Sequence, residues 1–236
     1  MTSYQYVGSE LEVFEKARNW KRYFSLQLQP YLRGKVLEVG SGIGSNTKLF
    51  AGASVDRWTC LEPDAGLLKQ FTEQEPAPER YEIIEGTLAD IEAQRRFDAI
   101  IYIDVLEHVE DDREELRQAA KHLTRGGALI VLAPAHQFLF TPFDRAIGHY
   151  RRYSKASLTA VEPPGLKREK LIYLDSVGML ASLANRLLLR SAMPTAVQIQ
   201  AWDGMLVPCS RWLDPVLGYR VGKSILGIWS DRQGSP

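Results

Sequence analysis

The spacing of apolar residues changes character several times along the chain. Val13, Ala17, Trp20, Phe24 and Leu28 recur at steps of three and four until Pro30 and Gly34 intervene, which predicts an amphipathic helix packed on a sheet. Short β-rich runs come next, at 35–39, 57–61, 81–85, 97–103 and 127–133. Helical stretches separate them near 46–51, 65–73 and 112–123, the last closed by Arg125, Gly126 and Gly127. Buried strands alternating with helices are the mark of an α/β fold, a doubly wound parallel sheet with helices on both faces. From 134 to 165 prolines, aromatics and charges replace the rhythm, which reads as an inserted active-site loop region. A sixth strand at 170–174, an apolar helix at 177–189, a loop-rich stretch and a last strand at 224–229 complete the pattern.

Length and composition narrow the function classes. A chain of 236 residues with 45% hydrophobic content suits one domain with a substrate cover, and two independent domains would be cramped. Basic and acidic residues balance at 29 each, so no long-range field draws the chain to nucleic acid or an anionic membrane, although local patches can still matter. Cys60 and Cys209 provide neither a disulfide framework nor a paired-cysteine metal site, which fits a reducing cytoplasm. The opening residues lack a basic start followed by an apolar run, so no secretory signal is expected. The run 177–189 is about 13 residues, broken by Ser182, Asn185 and Arg186, against the roughly 20 needed to span a bilayer.

The chemistry starts at the first strand, which runs straight into a turn carrying Gly40, Gly42 and Gly44. Glycines there let backbone amides approach a ligand and permit positive φ, although such turns also serve nucleotide cofactors or plain tight connections. Glu62, twenty residues after Gly42 at the end of the next strand, is placed to accept two hydrogen bonds from a ribose diol. The dinucleotide fingerprint wants its third glycine three positions after the second, whereas Gly44 comes after two, which argues against a dehydrogenase. Glu38 adds a negative charge beside the turn, unwelcome near a pyrophosphate and favourable near an ammonium or sulfonium.

Together these motifs resemble those of the class I S-adenosylmethionine-dependent methyltransferases. The resemblance extends over most of the chain, roughly 35 to 229. It implies a Rossmann-like, mostly parallel seven-stranded sheet with its last strand antiparallel, and a single domain: 1–34 a helical lid, 35–133 the cofactor-binding core, 134–165 and 177–222 the substrate cover. It implies S-adenosylmethionine as cofactor, with S-adenosylhomocysteine as product. Glu38 would order the methionine end, with Gly40, Ser41, Gly42 and Gly44 forming the turn; Glu62, followed by Pro63, would hold the ribose. Thr87 and Leu88 occupy the place that meets adenine, although many members carry an aspartate where Thr87 stands. Asp104 and Val105, at the end of the fourth strand, would lie under the methionine moiety.

The reacting end is less sharply defined. Asp104 could instead cap the helix near Asp111 or Asp112, and Glu107 and His108 brace a loop in many relatives. The segment 144–154 (DRAIGHYRRYS) resembles a bacterial methyltransferase pattern in which Asp144, His149, Arg151, Arg152 and Tyr153 shape the acceptor pocket. His149 is the candidate general base, with His108 and Asp104 beside it. An arginine fork could clamp an acceptor carboxylate or phosphate, or simply pair with local acids. Some relatives hold a divalent ion with a carboxylate, a Glu–His pair and a later His, for which Asp104, Glu107, His108 and His149 would serve; a metal-free site is the expectation adopted.

Tyr4 and Tyr6 are candidate lid and substrate-binding residues. The large apolar groups of 177–217, Trp202 and Trp212 above all, would wall an acceptor pocket, form a dimer face or touch a membrane. The expected activity is O-methylation of a hydroxyl or carboxylate on a small or lipid-like molecule, by a monomer or homodimer. The alternatives are modification of a peptide, or a catalytically silent S-adenosylmethionine-binding partner protein.

Overall fold

The computed structural model describes residues 15–50, 55–75, 77–184 and 195–231. Tyr4 and Tyr6 lie outside them, as does the end of the helix expected at 177–189.

Seven strands form one sheet: β1 (Gly34–Val39), β2 (Val55–Glu62), β3 (Tyr81–Glu85), β4 (Phe97–Ile103), β5 (Leu123–Pro134), β6 (Lys167–Leu174) and β7 (Ser224–Ser230), in the order β3-β2-β1-β4-β5-β7-β6. β1 to β5 pair in parallel, and β7 runs antiparallel between β5 and β6. The expected fold class therefore holds, including the antiparallel last strand. Adjacent residues of the central strands face opposite sides, and both sides are covered. Val36, Ile101 and Ile130 join one core with Trp20, Phe24 and Leu28, while Leu37, Ile100 and Val131 join another with Leu116 and Tyr153. Burial on both faces explains why these strands read as unbroken apolar runs.

The helices are α1 (Arg18–Leu28), α2 (Thr47–Phe50), α3 (Ala65–Gln74), α4 (Asp112–Lys121), α5 (Pro142–Ala146), α6 (Lys155–Ala160), α7 (Ser176–Ala184), α8 (Ala196–Ala201) and α9 (Val207–Val216), with a π turn at Trp202–Leu206. Asp64 caps α3 by accepting from the Gly66 and Leu67 amides, and Asp111 caps α4 through Glu114. The fourth helix stops at Lys121, and β5 begins at Leu123, earlier than expected. Phe97 pairs with Leu123 and Ala99 with Ala128, so Gly126, at φ +79°, sits in an irregularity inside the strand. The inserted region is also more ordered than its composition suggests. Thr141 with Asp144, and Ser154 with Ser157, form reciprocal capping boxes that start α5 and α6.

The N-terminal helix and the helices between β6 and β7 are tied by buried carboxylates. The backbone amides of Asn19 and Trp20, unpaired at the start of α1, donate to Asp203 at 3.1 and 2.8 Å, and Tyr23 donates to Asp214 at 2.7 Å. Asp214 also accepts from the Asp175 and Ser176 amides, while Trp202 and Ser210 donate to Asp175.

Candidate active site

The chain passes from β1 outward through β2 and β3, then crosses back to lay β4 on the other side of β1. Ligands of open parallel sheets sit at such a reversal, beyond the carboxyl ends of the strands. Gly40, after β1, and Asp104 with Val105, after β4, meet at that point. Gly40 takes φ +68°, and a Cβ there would fall 2.5 Å from a Val105 methyl; Gly44 takes φ +72°, and a Cβ would enter the Phe71 ring at 2.1 Å. The turn is tight and needs its glycines on steric grounds.

Glu62 points at this turn. One carboxylate oxygen accepts from the Gly42 amide at 2.9 Å and the other from Asp64 at 3.0 Å. Each oxygen keeps a lone pair for a diol. Pro63, between Glu62 and Asp64, is half-buried, and Ser41 is buried with its hydroxyl lacking a partner among the described residues. Such an orphan polar atom in an amide-lined turn suits a polar ligand. Glu38 is buried beneath the turn, accepting from Thr47 at 2.6 Å and Trp58 at 2.9 Å. Burial pushes its carboxyl up to about 7, against those hydrogen bonds and the charge of Lys21. Lys21, from α1, donates to the Ser45 carbonyl at 3.3 Å and brings to the turn a cation that the sequence does not announce, since helix periodicity accounts only for its apolar neighbours. Burial lowers its pKa to about 8.

In the turn after β3, where adenine is expected, Thr87 is exposed and donates its hydroxyl to Asp90 at 3.0 Å within a capping box. Leu88 belongs to the core, 3% exposed, and Asp90 is an exposed carboxylate beside them.

Asp104 has φ +53° and caps no helix; α4 is capped by Asp111 instead. The residue is exposed, with protein packed close around its carboxyl. That surrounding protein raises its carboxyl to about 6, opposed by the charges of His149, Lys223 and Arg152. Lys223, a second cation that no motif marks, lies over the Trp202 ring at 3.6 Å and 3.6 Å from Asp175.

The motif after β5 closes the site. Asp144 is a buried hub: Thr141 donates through its backbone at 2.8 Å and its hydroxyl at 2.7 Å, Arg152 forks onto it at 2.8 and 2.9 Å, and His149 Nδ1 lies 3.1 Å away. Burial would raise this carboxyl, but the hydrogen bonds from His149, Arg152 and Thr141 outweigh it and hold it well below the usual range. His149 Nε2 faces Glu107 at 3.8 Å, and its ring meets that of His108 edge-on at 4.5 Å. Burial and the neighbouring His149 lower His108 to about 4, so it is neutral near pH 7. Both oxygens of the fully buried Glu107 lack hydrogen-bond partners among the described residues, and burial beside Asp104 raises its carboxyl well above the usual range.

Three of the residues expected to shape the acceptor pocket are paired within the protein. Arg151 pairs with Asp112 at 2.6 Å and donates to the Glu110 carbonyl, the local-acid alternative. Tyr153 is 1% exposed and donates to Asp112 at 2.7 Å, which makes it a strut under the motif. Arg152 is occupied by Asp144. As to a metal, Glu107, His108 and His149 bring ligand atoms within 4.8 Å of one another, and Asp104 stands outside the group.

The sequence of residues 37–131 matches the family model of a methyltransferase domain. The match covers less than half of the chain, and the whole sheet has the class I methyltransferase fold. Solved methyltransferases share the fold. A chain of the complex between the Haloferax volcanii Trm112 methyltransferase activator and a methyltransferase aligns with TM-score 0.62 and 14% identity, covering 94% of this chain and 91% of that one. The S-adenosylmethionine-dependent methyltransferase from Archaeoglobus fulgidus gives 0.60 and 13%, covering 94% and 100%. The N-methyltransferase NodS from Bradyrhizobium japonicum, crystallised with S-adenosylhomocysteine, gives 0.58 and 14%, covering 92% and 87%. Among curated proteins none matches by sequence. No helix of the described residues is long and apolar enough to cross a membrane.

Proposed function

We propose that the chain is a methyltransferase that moves the methyl group of S-adenosylmethionine to a hydroxyl or carboxylate oxygen of a small or lipid-like molecule, with His149 as the base. The observation that carries the reading is the Asp144–His149 pair, whose imidazole acts electrostatically on Asp104. With Asp144 accepting, the proton sits on Nδ1 and Nε2 is left as an acceptor. The sulfonium is already activated, so the enzyme chiefly aligns acceptor, methyl and sulfur in a line. For a hydroxyl acceptor, the new O–C bond forms as the C–S bond breaks, sulfur keeps the electron pair, and Nε2 takes the proton while Asp144 stabilises the imidazolium. A carboxylate acceptor needs no base. In this reading the glycine turn, Glu38, Glu62 and Asp104 seat the cofactor.

A second reading is favoured by the two unpartnered Glu107 oxygens: a divalent ion on Glu107, His108 and His149. Such an ion would acidify an acceptor hydroxyl.

The test is incubation with trideuteromethyl-labelled S-adenosylmethionine and panels of hydroxylated, carboxylated, lipid and peptide acceptors, read by mass spectrometry. An alkali-stable ether or an alkali-labile ester supports the reading. Label found only on nitrogen overturns it.

A further inference from the structure

The described part of the cover carries an apolar stripe on its outer side. Val197, Ala201, Met205, Cys209, Trp212 and Val216 follow at steps of four and, once, three residues, and all six are exposed. On a continuous helical run this is one face, with the π turn absorbing the long spacing. Exposure reaches 80% at Trp212 and 81% at Val216. Core packing does not account for a tryptophan so placed.

The charges around the stripe decide what it fits. Between 176 and 222 the sequence has two acidic residues, Asp203 and Asp214, and both are buried in the clasp that holds α1. Arg211 and Arg220 are the exposed ionic groups of its described part. A two-fold pairing of this face with a second copy would set arginine against arginine, with no exposed acid of the segment to answer. An anionic bilayer answers both features, taking apolar groups into its interfacial layer and arginines among its headgroups. Tryptophan favours that depth.

We propose that this stripe docks the protein on an anionic lipid surface, with Trp212 and Val216 inserted. The placement has a consequence for the active site. The cover leaves the sheet after Leu174 and returns at Ser224, which pairs with Leu174 and with Pro134 at the end of β5. That is the edge bearing Asp104, so docking sets the crevice edge near the bilayer, whatever the acceptor proves to be.

Fluorescence gives a direct test, because the other four tryptophans are buried and Trp212 alone is exposed. With phosphatidylcholine vesicles containing phosphatidylglycerol, emission should shift to the blue and be quenched by brominated acyl chains, and the protein should cosediment. The Trp212→Ser/Val216→Ser variant should partition about tenfold less or worse. Arg211→Glu, which leaves the stripe intact, should weaken binding and flatten its salt dependence. Absence of partition to anionic vesicles overturns the proposal, as does equal partition by the variants. A blue shift that tracks protein concentration without vesicles would assign the stripe to self-association and also overturn it.

Discussion

His149 and Asp144 are joined at 3.1 Å, and the carboxylate that orients the imidazole is itself forked by Arg152 and held by Thr141. The imidazole therefore has one orientation and one tautomer fixed from behind. Asp144→Asn should lose both, lowering kcat by about a hundredfold, in the usual range for acid–base groups, while affinity for S-adenosylhomocysteine stays within about twofold. His149→Ala should match it. Steady-state kinetics paired with calorimetric titration separate the effects, and undiminished kcat in both variants would make the pair a structural brace.

Glu62 serves the turn as well as the ribose, since it already accepts from Gly42 and Asp64. Removing it takes away the charge-assisted contacts and loosens the loop that presents the amides. Glu62→Ala should weaken cofactor binding by about 1–3 kcal/mol, read by calorimetry. Unchanged affinity would take Glu62 out of the site.

The two readings of the Glu107–His108–His149 cluster separate on chelation. With His149 as the base, exhaustive dialysis against a chelator leaves turnover and melting temperature unchanged. A melting temperature that rises on adding manganese to wild type but not to Glu107→Ala would replace the base by an ion.

Much of this architecture is legible in residue order because the central strands are buried on both faces and the glycine turn comes directly after β1. What the residue order leaves unread shares a cause, which is that periodicity reports burial and not partners. Trp202 and Trp212 look alike in sequence, yet one is buried with its indole on Asp175 and the other is exposed. Tyr153 and Arg151 sit in a segment rich in polar groups, and only the fold shows Asp112 taking both. Lys21 and Lys223 reach the crevice from opposite ends of the chain, and no spacing rule links them to Glu38 or Asp104. The capping boxes at Thr141 and Ser154 are readable signals, but the helices they start, five and six residues long, are too short to show an apolar period.

The steric need for Gly44 makes a stability prediction. Alanine there would adopt φ +72° and overlap the fully buried Phe71 ring, which has no room to withdraw. The strained backbone and overpacking together should cost about 2–4 kcal/mol. Urea denaturation of Gly44→Ala measures it, and a loss under about 1 kcal/mol would mean that the α3 side of the turn yields.

Glu38 predicts a pH dependence with a definite sign. Its carboxyl stands at about 7 in the folded protein against an ordinary 4.5, so between those values the folded chain holds a proton that the unfolded chain has released. Stability from this group is complete below about 4.5 and declines as pH rises through 7, by about 3 kcal/mol in all. Glutamine mimics the protonated form at every pH. Glu38→Gln should therefore match wild type near pH 4.5 and exceed its stability above pH 7, in denaturant titrations of the cofactor-free protein. A difference that does not vary with pH would remove the assigned burial cost. Cofactor binding should run the other way, because the ammonium and sulfonium of S-adenosylmethionine favour the ionised carboxylate. Wild-type affinity should rise between pH 6 and 8 and that of Glu38→Gln should not. A charge that weakens the empty protein and strengthens the loaded one is retained for its ligand.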